Sequence, residues 1–595
     1  MIALCMVYPM LLAQAPRVPS SAAPHVEAAM SVSLDTSESS PQPVGTLITW
    51  TAKVSNASAG TLMYRFRARR VGSNFHVVVD YGPKNTLDWT SSDTEGLYQV
   101  EASVENVTTG EVASTATSFL MQSLVKGGEP AINLTAHPMV FLYSAPACEP
   151  GSRMRVQFQS PDGFTQNTPY KRCQLGLSMN FYLAGLRGST TYSVKHTIDT
   201  GSTFEQGPTL TLTTPPSRTD ITSETVIQGP VPSSQQPILL QSTLFTNSYA
   251  TDLNGNLLWF YPGSVSFLTR PARGGNFFGV IEDPVRNQAY QALREFDLTG
   301  MTVRETNAAR VNQQLTAMGK RPISAFHHEA RRLPDGKILV LAAVEQILTD
   351  VQGPGPVDVL GDMILIMDSN LQVVWTWDAF DHMDVTRKAI LGEMCVSNST
   401  GNCPPIFLAA NANDWLHGNS VQQTPDGNLL YSARSQDWVI KIDYENGNGA
   451  GYVMWRLGPD GDFTIKSTDP NPWFSHQHDP QLLPDNTTMT LFDNANVRNL
   501  ADPTVHSRGQ VLQLDEKNLA ANLILNADLG QYSFALGAAQ KLANGNYHFD
   551  NGYLSDGGSL SLEVDESGHI VYAIHANISE YRSFRMQDLY TPPEP

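Results

Sequence analysis

Hydrophobic residues in this chain either alternate with polar ones or gather in short runs of about four to eight; almost nowhere do they recur at the three-and-four spacing of an amphipathic helix. The runs are rich in Val, Ile, Thr, Tyr and Phe, and clusters of Gly, Pro, Asn and Asp close them, as in strands joined by turns. The pattern predicts an all-β protein. Two helices are expected as excursions from it, over 307–319 and 385–393.

Turn signals divide the chain. Residues 28–122 read as a small immunoglobulin-like β-sandwich, with strands expected over 47–54, 61–69, 75–81 and 96–104. Residues 130–215 read as a second sandwich, its last strand over 209–213. The segment Leu186-Arg-Gly-Ser-Thr-Thr-Tyr192 resembles the corner of fibronectin type III domains, where a Leu packs inward and a Tyr ties its hydroxyl to the backbone. Thr214-Pro-Pro-Ser217 is the linker that ends this module.

From 220 to 595 the chain repeats itself. One signal is a tight turn leading into an apolar strand: Pro334-Asp-Gly-Lys-Ile-Leu-Val-Leu341, Pro425-Asp-Gly-Asn-Leu-Leu-Tyr431, Pro484-Asp-Asn486 and Ala543-Asn-Gly-Asn-Tyr547. The other is an apolar strand ending in Asp, then a turn and a strand that often carries Trp, as in Asp252-Leu-Asn-Gly-Asn-Leu-Leu-Trp259 and Asp368-Ser-Asn-Leu-Gln-Val-Val-Trp375. Six units of about 60 residues, each with two hairpins, predict a six-bladed β-propeller.

Three consecutive units carry histidine shortly before the turn: Phe326-His-His-Glu-Ala-Arg-Arg-Leu-Pro334, Leu416-His-Gly-Asn-Ser-Val-Gln-Gln-Thr-Pro425 and Ser475-His-Gln-His-Asp-Pro-Gln-Leu-Leu-Pro484. In a propeller this strand is innermost, and its start lies at the mouth of the central channel. Three blades thus aim imidazoles at one point. The neighbouring antiparallel strand returns to the same face, bringing Arg434 and Asn494, while Asn419 follows His417 by two residues. Phase alone does not choose between His327 and His328, and strict alternation puts His476 and His478 on one face. Of the remaining histidines, His25, His76, His137, His196, His382, His506, His569 and His575 are read as surface or core residues, and His548 is left open.

Composition narrows the chemistry. The 595 residues carry 38 Lys+Arg against 57 Asp+Glu, a net charge of −19, with no basic run, so nucleic acid is a poor partner. No stretch reaches the ~18–20 apolar residues of a membrane span. The apolar start closing on Ala13-Gln-Ala15 reads as a signal peptide over 1–15, and a secreted or periplasmic protein is expected. Without Cys5, four cysteines remain in two local pairs, Cys148 with Cys173 and Cys395 with Cys403, which suits two disulfides in an oxidising compartment.

Histidines and an arginine converging in an acidic protein make an anion site. An imidazole can serve there as nucleophile, an Arg and other imidazoles can clamp sulfuryl or phosphoryl oxygens, and a further His can move the proton. No nucleotide motif is present. Two alternatives remain open: a secreted propeller that binds a ligand without catalysis, and a zinc-dependent sulfate or phosphate ester hydrolase, although an Arg aimed into the cluster opposes a dication.

His417-Gly-Asn-Ser420, Ser432-Ala-Arg434 and Gln477-His478 followed by Leu491-Phe-Asp-Asn494 resemble the motifs of bacterial arylsulfate sulfotransferases over about residues 220–580. The resemblance implies transfer of a sulfuryl group from a phenolic sulfate ester to a phenolic acceptor, by a ping-pong route through a sulfohistidine, without cofactor, metal or nucleotide donor. It implies His478 as nucleophile, with His328, His417 and Arg434 completing the catalytic set. Asn419, His327, His476 and Asn494 are the candidate substrate-binding residues. Cys395 and Cys403 resemble the family's short-loop disulfide. This chain departs from the family in having two sandwich modules, and in carrying Ser533-Phe-Ala-Leu-Gly537 where a further ligand is expected. A homodimer is compatible with this reading.

Overall fold

The computed structural model describes residues 29–221, 223–244, 246–283, 287–397 and 403–593; the expected signal segment 1–15 and His25 lie outside them. The described chain is all-β, with three short α-helices, Ala308–Ala317, Ala379–His382 and Asn496–Ala501. The first matches expectation: the Asn307 side chain accepts from Arg310 N and caps it. The helix expected over 385–393 does not form, and this stretch is a chain of turns. Its polar groups are taken elsewhere. Asp384 Oδ1 accepts from Thr386 N at 3.0 Å and Ile390 N donates to Ser435 O at 2.8 Å, so no helical nucleus competes.

Two strand groups precede residue 220. In the first, Trp50, Phe66, Tyr98 and Phe119 form a core between strands Ser31–Thr36, Ile48–Ser55 and Thr86–Trp89 and strands Leu62–Arg70, His76–Gly82, Gly96–Asn106 and Glu111–Gln122. In the second, Tyr143, Phe158, Phe181 and Tyr192 pack around the Cys148–Cys173 disulfide. Its corner is as expected: Leu186 is buried and Arg187 N donates to the Tyr192 hydroxyl at 2.8 Å. Both groups are bolted to the remainder. Asn307 Nδ2 donates to Tyr81 O at 2.8 Å, and Arg187 Nε donates to Asp252 Oδ2 at 2.8 Å.

Beyond 230 lie six consecutive antiparallel sheets, each containing a run of four strands. The second begins with Phe267–Ala272, the third with Ala325–Arg332, the fourth with Gly418–Gln423, the fifth with His478–Leu482 and the sixth with Ala538–Lys541. The first is composite: Ile238–Thr243, Tyr249–Asp252 and Leu257–Phe260 are completed by Glu580–Met586, which pairs with Ile238–Thr243. The leading strand of each sheet from the second to the fifth packs against that of the next. Glu580–Met586 touches both Ala538–Lys541 and Phe267–Ala272.

Every sheet is covered on both faces, which is why its strands read as apolar runs. In Leu429–Ala433 all five residues are buried. The side-chain period of two divides them: Leu429 and Tyr431 pack with Leu339, Leu341 and Ile364 of the third sheet, whereas Leu430 packs with Met489 and Leu491 of the fifth. Each such side chain contributes about 1.5–3 kcal/mol on leaving water.

Candidate functional site

The leading strands of the third, fourth and fifth sheets share a backbone irregularity. His328, His417 and His476 have φ of +55°, +47° and +55°, and Leu536 at the start of the sixth sheet has +65°. Pairing with the neighbouring strand slips across or just after these residues in the third, fourth and fifth sheets, between Phe326 and Ala330, Gly418 and Ser420, and His478 and Gln481. Left-handed backbone in non-glycine residues costs of order 1–3 kcal/mol. Its recurrence takes these side chains out of the strand pleat, those of His328 and His417 toward each other.

His328 and His417 face each other, with ring centroids 5.1 Å apart, and both are partly exposed. His478 is buried, and its charge environment includes His417, Arg434 and Arg582; that of His328 includes His417 and His478. The structure therefore brings His328, His417, His478 and Arg434 together.

Each histidine has its own support. His478 Nδ1 lies 2.6 Å from Asn494 Oδ1 and 3.2 Å from His476 O, both acceptors. Asn494 is locked in this orientation because its Nδ2 donates to Ser533 O at 2.9 Å and Leu536 O at 3.0 Å. Nδ1 of His478 must donate, and in the neutral ring the lone pair sits on Nε2. His417 Nδ1 is 2.5 Å from Asp414 Oδ2. His328 Nδ1 is 2.8 Å from His327 Nδ1, and His327 Nε2 is 3.0 Å from Asp362 Oδ1. His327 thus stands behind His328. Burial pushes the Asp362 carboxyl up, but bonds from His327, Tyr431 and Gly418 outweigh this and hold it below its ordinary value.

His476 does not share a face with His478. The left-handed turn ends the alternation, and its ring goes to Glu393 and Asp437. Asn419 is wholly buried. Its side-chain Nδ2 donates to Gln477 O at 2.7 Å, and its backbone carbonyl accepts from Arg582 Nη2 at 2.6 Å and from the Tyr581 hydroxyl at 3.2 Å. The amide thus ties the fourth sheet's leading strand to the segment carrying His478. In the loop leading into the sixth sheet, Ser533 and Leu536 supply the carbonyls that orient Asn494.

Beneath the histidines, Glu329 and Asp479 point away into a buried ion cluster. Arg582 Nη1 lies 3.0 Å and Arg270 Nη2 3.2 Å from Glu329 Oε2, and Arg270 also bonds Asp479. The cluster fixes strands of the first, second, third and fifth sheets to one another. Of the other histidines, His137 bonds Phe260 O and His196 bonds the Tyr143 hydroxyl, both in structural roles. His548 is likewise buried, bonded to Ser583 Oγ at 2.9 Å.

A family model described as arylsulfotransferase (ASST) matches residues 203–583, well over half of the chain and every residue of the histidine cluster. The chain belongs to the arylsulfotransferase family. Membership makes it an enzyme of the sulfotransferase class. No curated protein sequence matches the chain. Among solved structures, it is similar to the chicken interferon gamma receptor alpha chain at 10% identity, covering 32% of this chain and 99% of that one with a TM-score of 0.13. It is similar to the FN1–FN3 domains of chicken CNTN1 at 12% identity, with coverages of 31% and 67% and a TM-score of 0.14. A two-domain fibronectin type III segment of chicken tenascin matches at 14% identity, with coverages of 30% and 95% and a TM-score of 0.14.

For an arylsulfotransferase the electrostatics are apt. Burial first, then Arg434, His417 and Arg582, holds His478 well below the ordinary imidazole value, against the opposing Asn494 bond. His328 is held down by burial, His327, His417 and His478. Both rings are neutral where a free histidine is half charged. Arg434, 6% exposed, makes no side-chain hydrogen bond among the described residues. A desolvated guanidinium with unused donors is what a sulfuryl group's oxygens require. Among the described residues, the one group of three potential metal ligands is Cys395, Cys403 and Asp414, and both sulfurs are joined in a disulfide.

Sequence reasoning missed Asp362, Asp414, Arg270, Arg582 and Tyr581. Asp414, three residues before His417, was open to discovery by spacing; the others come from distant strands and leave no local mark.

Proposed function

We propose that this chain transfers a sulfuryl group from a phenolic sulfate ester to a phenolic acceptor in two steps through an N-sulfohistidine at His478. The observation that carries the reading is the Asn494–His478 bond, which leaves the lone pair on Nε2 beside an arginine with vacant donors.

In the first step the Nε2 lone pair attacks sulfur and the sulfur–phenolic oxygen bond breaks, with the electron pair leaving on that oxygen. Arg434 and His328 hold the sulfuryl oxygens, and His417, its ring oriented by the Asp414 bond, gives the departing oxygen its proton. In the second step His417 takes the proton from the acceptor phenol, the phenol oxygen attacks sulfur, and the nitrogen–sulfur bond breaks. The enzyme returns to its starting state with no net redox change. Asn494 sets the His478 tautomer, His327 and Asp362 orient His328, and Asn419 holds the His478 segment. The six sheets act as blades of a propeller closed by Glu580–Met586. Residues 28–122 and 130–215 serve as two sandwich modules before the catalytic domain at 220–595, and the two disulfides suit a secreted or periplasmic site of action.

The test is incubation with a chromogenic aryl sulfate and no acceptor, followed by peptide mass analysis. A gain of about 80 Da on the His478 peptide, lost on adding phenol and absent in His478→Ala, is expected. Wild-type turnover by His478→Ala would refute the scheme, and loss of activity on chelation would transfer the case to a metal-dependent hydrolase.

A further inference from the structure

The two-step transfer leaves His476 without a task, yet it is completely buried and has a carboxylate on each ring nitrogen. Nδ1 is 3.0 Å from Asp437 Oδ1, an oxygen that also accepts from the His476 backbone N at 2.7 Å. Nε2 bonds Glu393 Oε1. A carboxylate oxygen in ion-pair contact with one ring nitrogen and another bonded to the second favour the charged form of the ring. Burial opposes the charge, and so does Arg434, but the Asp437 and Glu393 bonds outweigh both.

Glu393 lies in the turn-rich segment two residues before Cys395, just outside the loop that the Cys395–Cys403 disulfide closes. The oxygen it gives to His476 is also 3.9 Å from Arg434 Nη1, too far for a hydrogen bond, and its other oxygen accepts from Leu391 N at 3.1 Å. Glu393 therefore has two cations within reach and bonds only the histidine. A carboxylate this close to an unsatisfied, desolvated guanidinium would close into a charge-assisted pair if released. It would then fill the position a sulfuryl group needs.

We propose that His476 is a positioning residue that withholds Glu393 from Arg434, keeping the guanidinium vacant for the oxygens of the substrate ester and of the sulfohistidine. The proposal rests on the reading of Arg434 as a sulfuryl-holding group. It explains why a charged histidine is buried at a point where it touches no reacting atom, and it ties the segment leading into the disulfide loop to Arg434.

The experiment compares His476→Gln, the double variant His476→Gln/Glu393→Gln, His476→Lys and Arg434→Ala. It measures KM and kcat for 4-nitrophenyl sulfate and competitive inhibition by inorganic sulfate. His476→Gln is expected to raise KM and the sulfate inhibition constant roughly tenfold or more, the loss of one charge-assisted contact. Removing the Glu393 charge as well restores most of the loss, a recovery that a merely structural role for His476 does not give. His476→Lys, which keeps the cation, retains sulfate inhibition. A double variant no better than the single one, while Arg434→Ala still raises both constants, overturns the proposal alone. Arg434→Ala with both constants unchanged overturns the underlying reading of the site. Thermal midpoints are recorded for all variants. Should His476→Gln not fold, a roughly tenfold weaker sulfate inhibition in His476→Lys overturns the proposal and unchanged inhibition supports it.

Discussion

Asn494 holds His478 by an oxygen that cannot be exchanged for nitrogen, because the amide nitrogen of Asn494 is already committed to two carbonyls of the loop before the sixth sheet. One asparagine thus decides which nitrogen of the histidine is free. Asn494→Ala is expected to slow enzyme sulfation by roughly 100-fold or more while leaving the fold intact, as the ring samples both tautomers and orientations. Rapid-mixing measurement of the first phenol released reads this directly; an unchanged burst rate would contradict it.

The buried imidazoles set an acid limit on stability. His137 is pushed down to about 4 and His548 to about 3, chiefly by burial, and His328 and His478 also lie well below the ordinary value. The unfolded chain takes up these protons near pH ~6.5, whereas the folded chain does not. Their contribution is therefore complete above that pH and declines below it. His476, raised when folded, acts in the opposite direction and is outnumbered. Scanning calorimetry should show the thermal midpoint falling between about pH 7 and 5; a flat or rising midpoint would count against it.

Arg582→Met leaves Glu329 short of a buried cation and removes the donor to Asn419 O. Breaking one side of a buried ion pair costs about 3–5 kcal/mol. Denaturant unfolding should show a loss of that order, and activity should fall with it because Asn419 positions the His478 segment. Arg582→Lys should recover only part of either, since an ammonium lacks the planar fork.

Much of this arrangement was legible in the sequence. The turn motifs gave the order of the strand groups, and the shared phase of histidines before those turns brought His328, His417 and His478 to one place. The failures are physical. Alternation misassigned His476 because a left-handed residue interrupts the strand, and nothing in Ser475-His-Gln-His478 announces that. The helix expected over 385–393 lost to bonds reaching outside the segment. Arg270 and Arg582 look like ordinary strand residues until sheets separated by hundreds of residues meet.

Cys395 and Cys403 bracket a short loop, where a crosslink is worth about 2–3 kcal/mol in chain entropy. Because Glu393 lies two residues before Cys395, the pair Cys395→Ser and Cys403→Ser should loosen this segment more than the whole protein. Limited proteolysis should cut within 384–410 sooner than in the wild type, with KM for the aryl sulfate rising more than kcat falls. Equal cutting rates would show that the crosslink does not brace the segment.

The pairing of Ile238–Thr243 with Glu580–Met586 fixes a timetable as well as a shape. Gln241 and Glu580, joined by a hydrogen bond, are 339 positions apart. During synthesis the earlier strand must wait with an unpaired edge until almost all the intervening chain has been delivered, and such distant closure is slow. Tyr581 and Arg582 arrive on that same late strand. Until it docks, the carbonyls of His328 and Asn419 lack these donors, and the histidine cluster is without part of its frame.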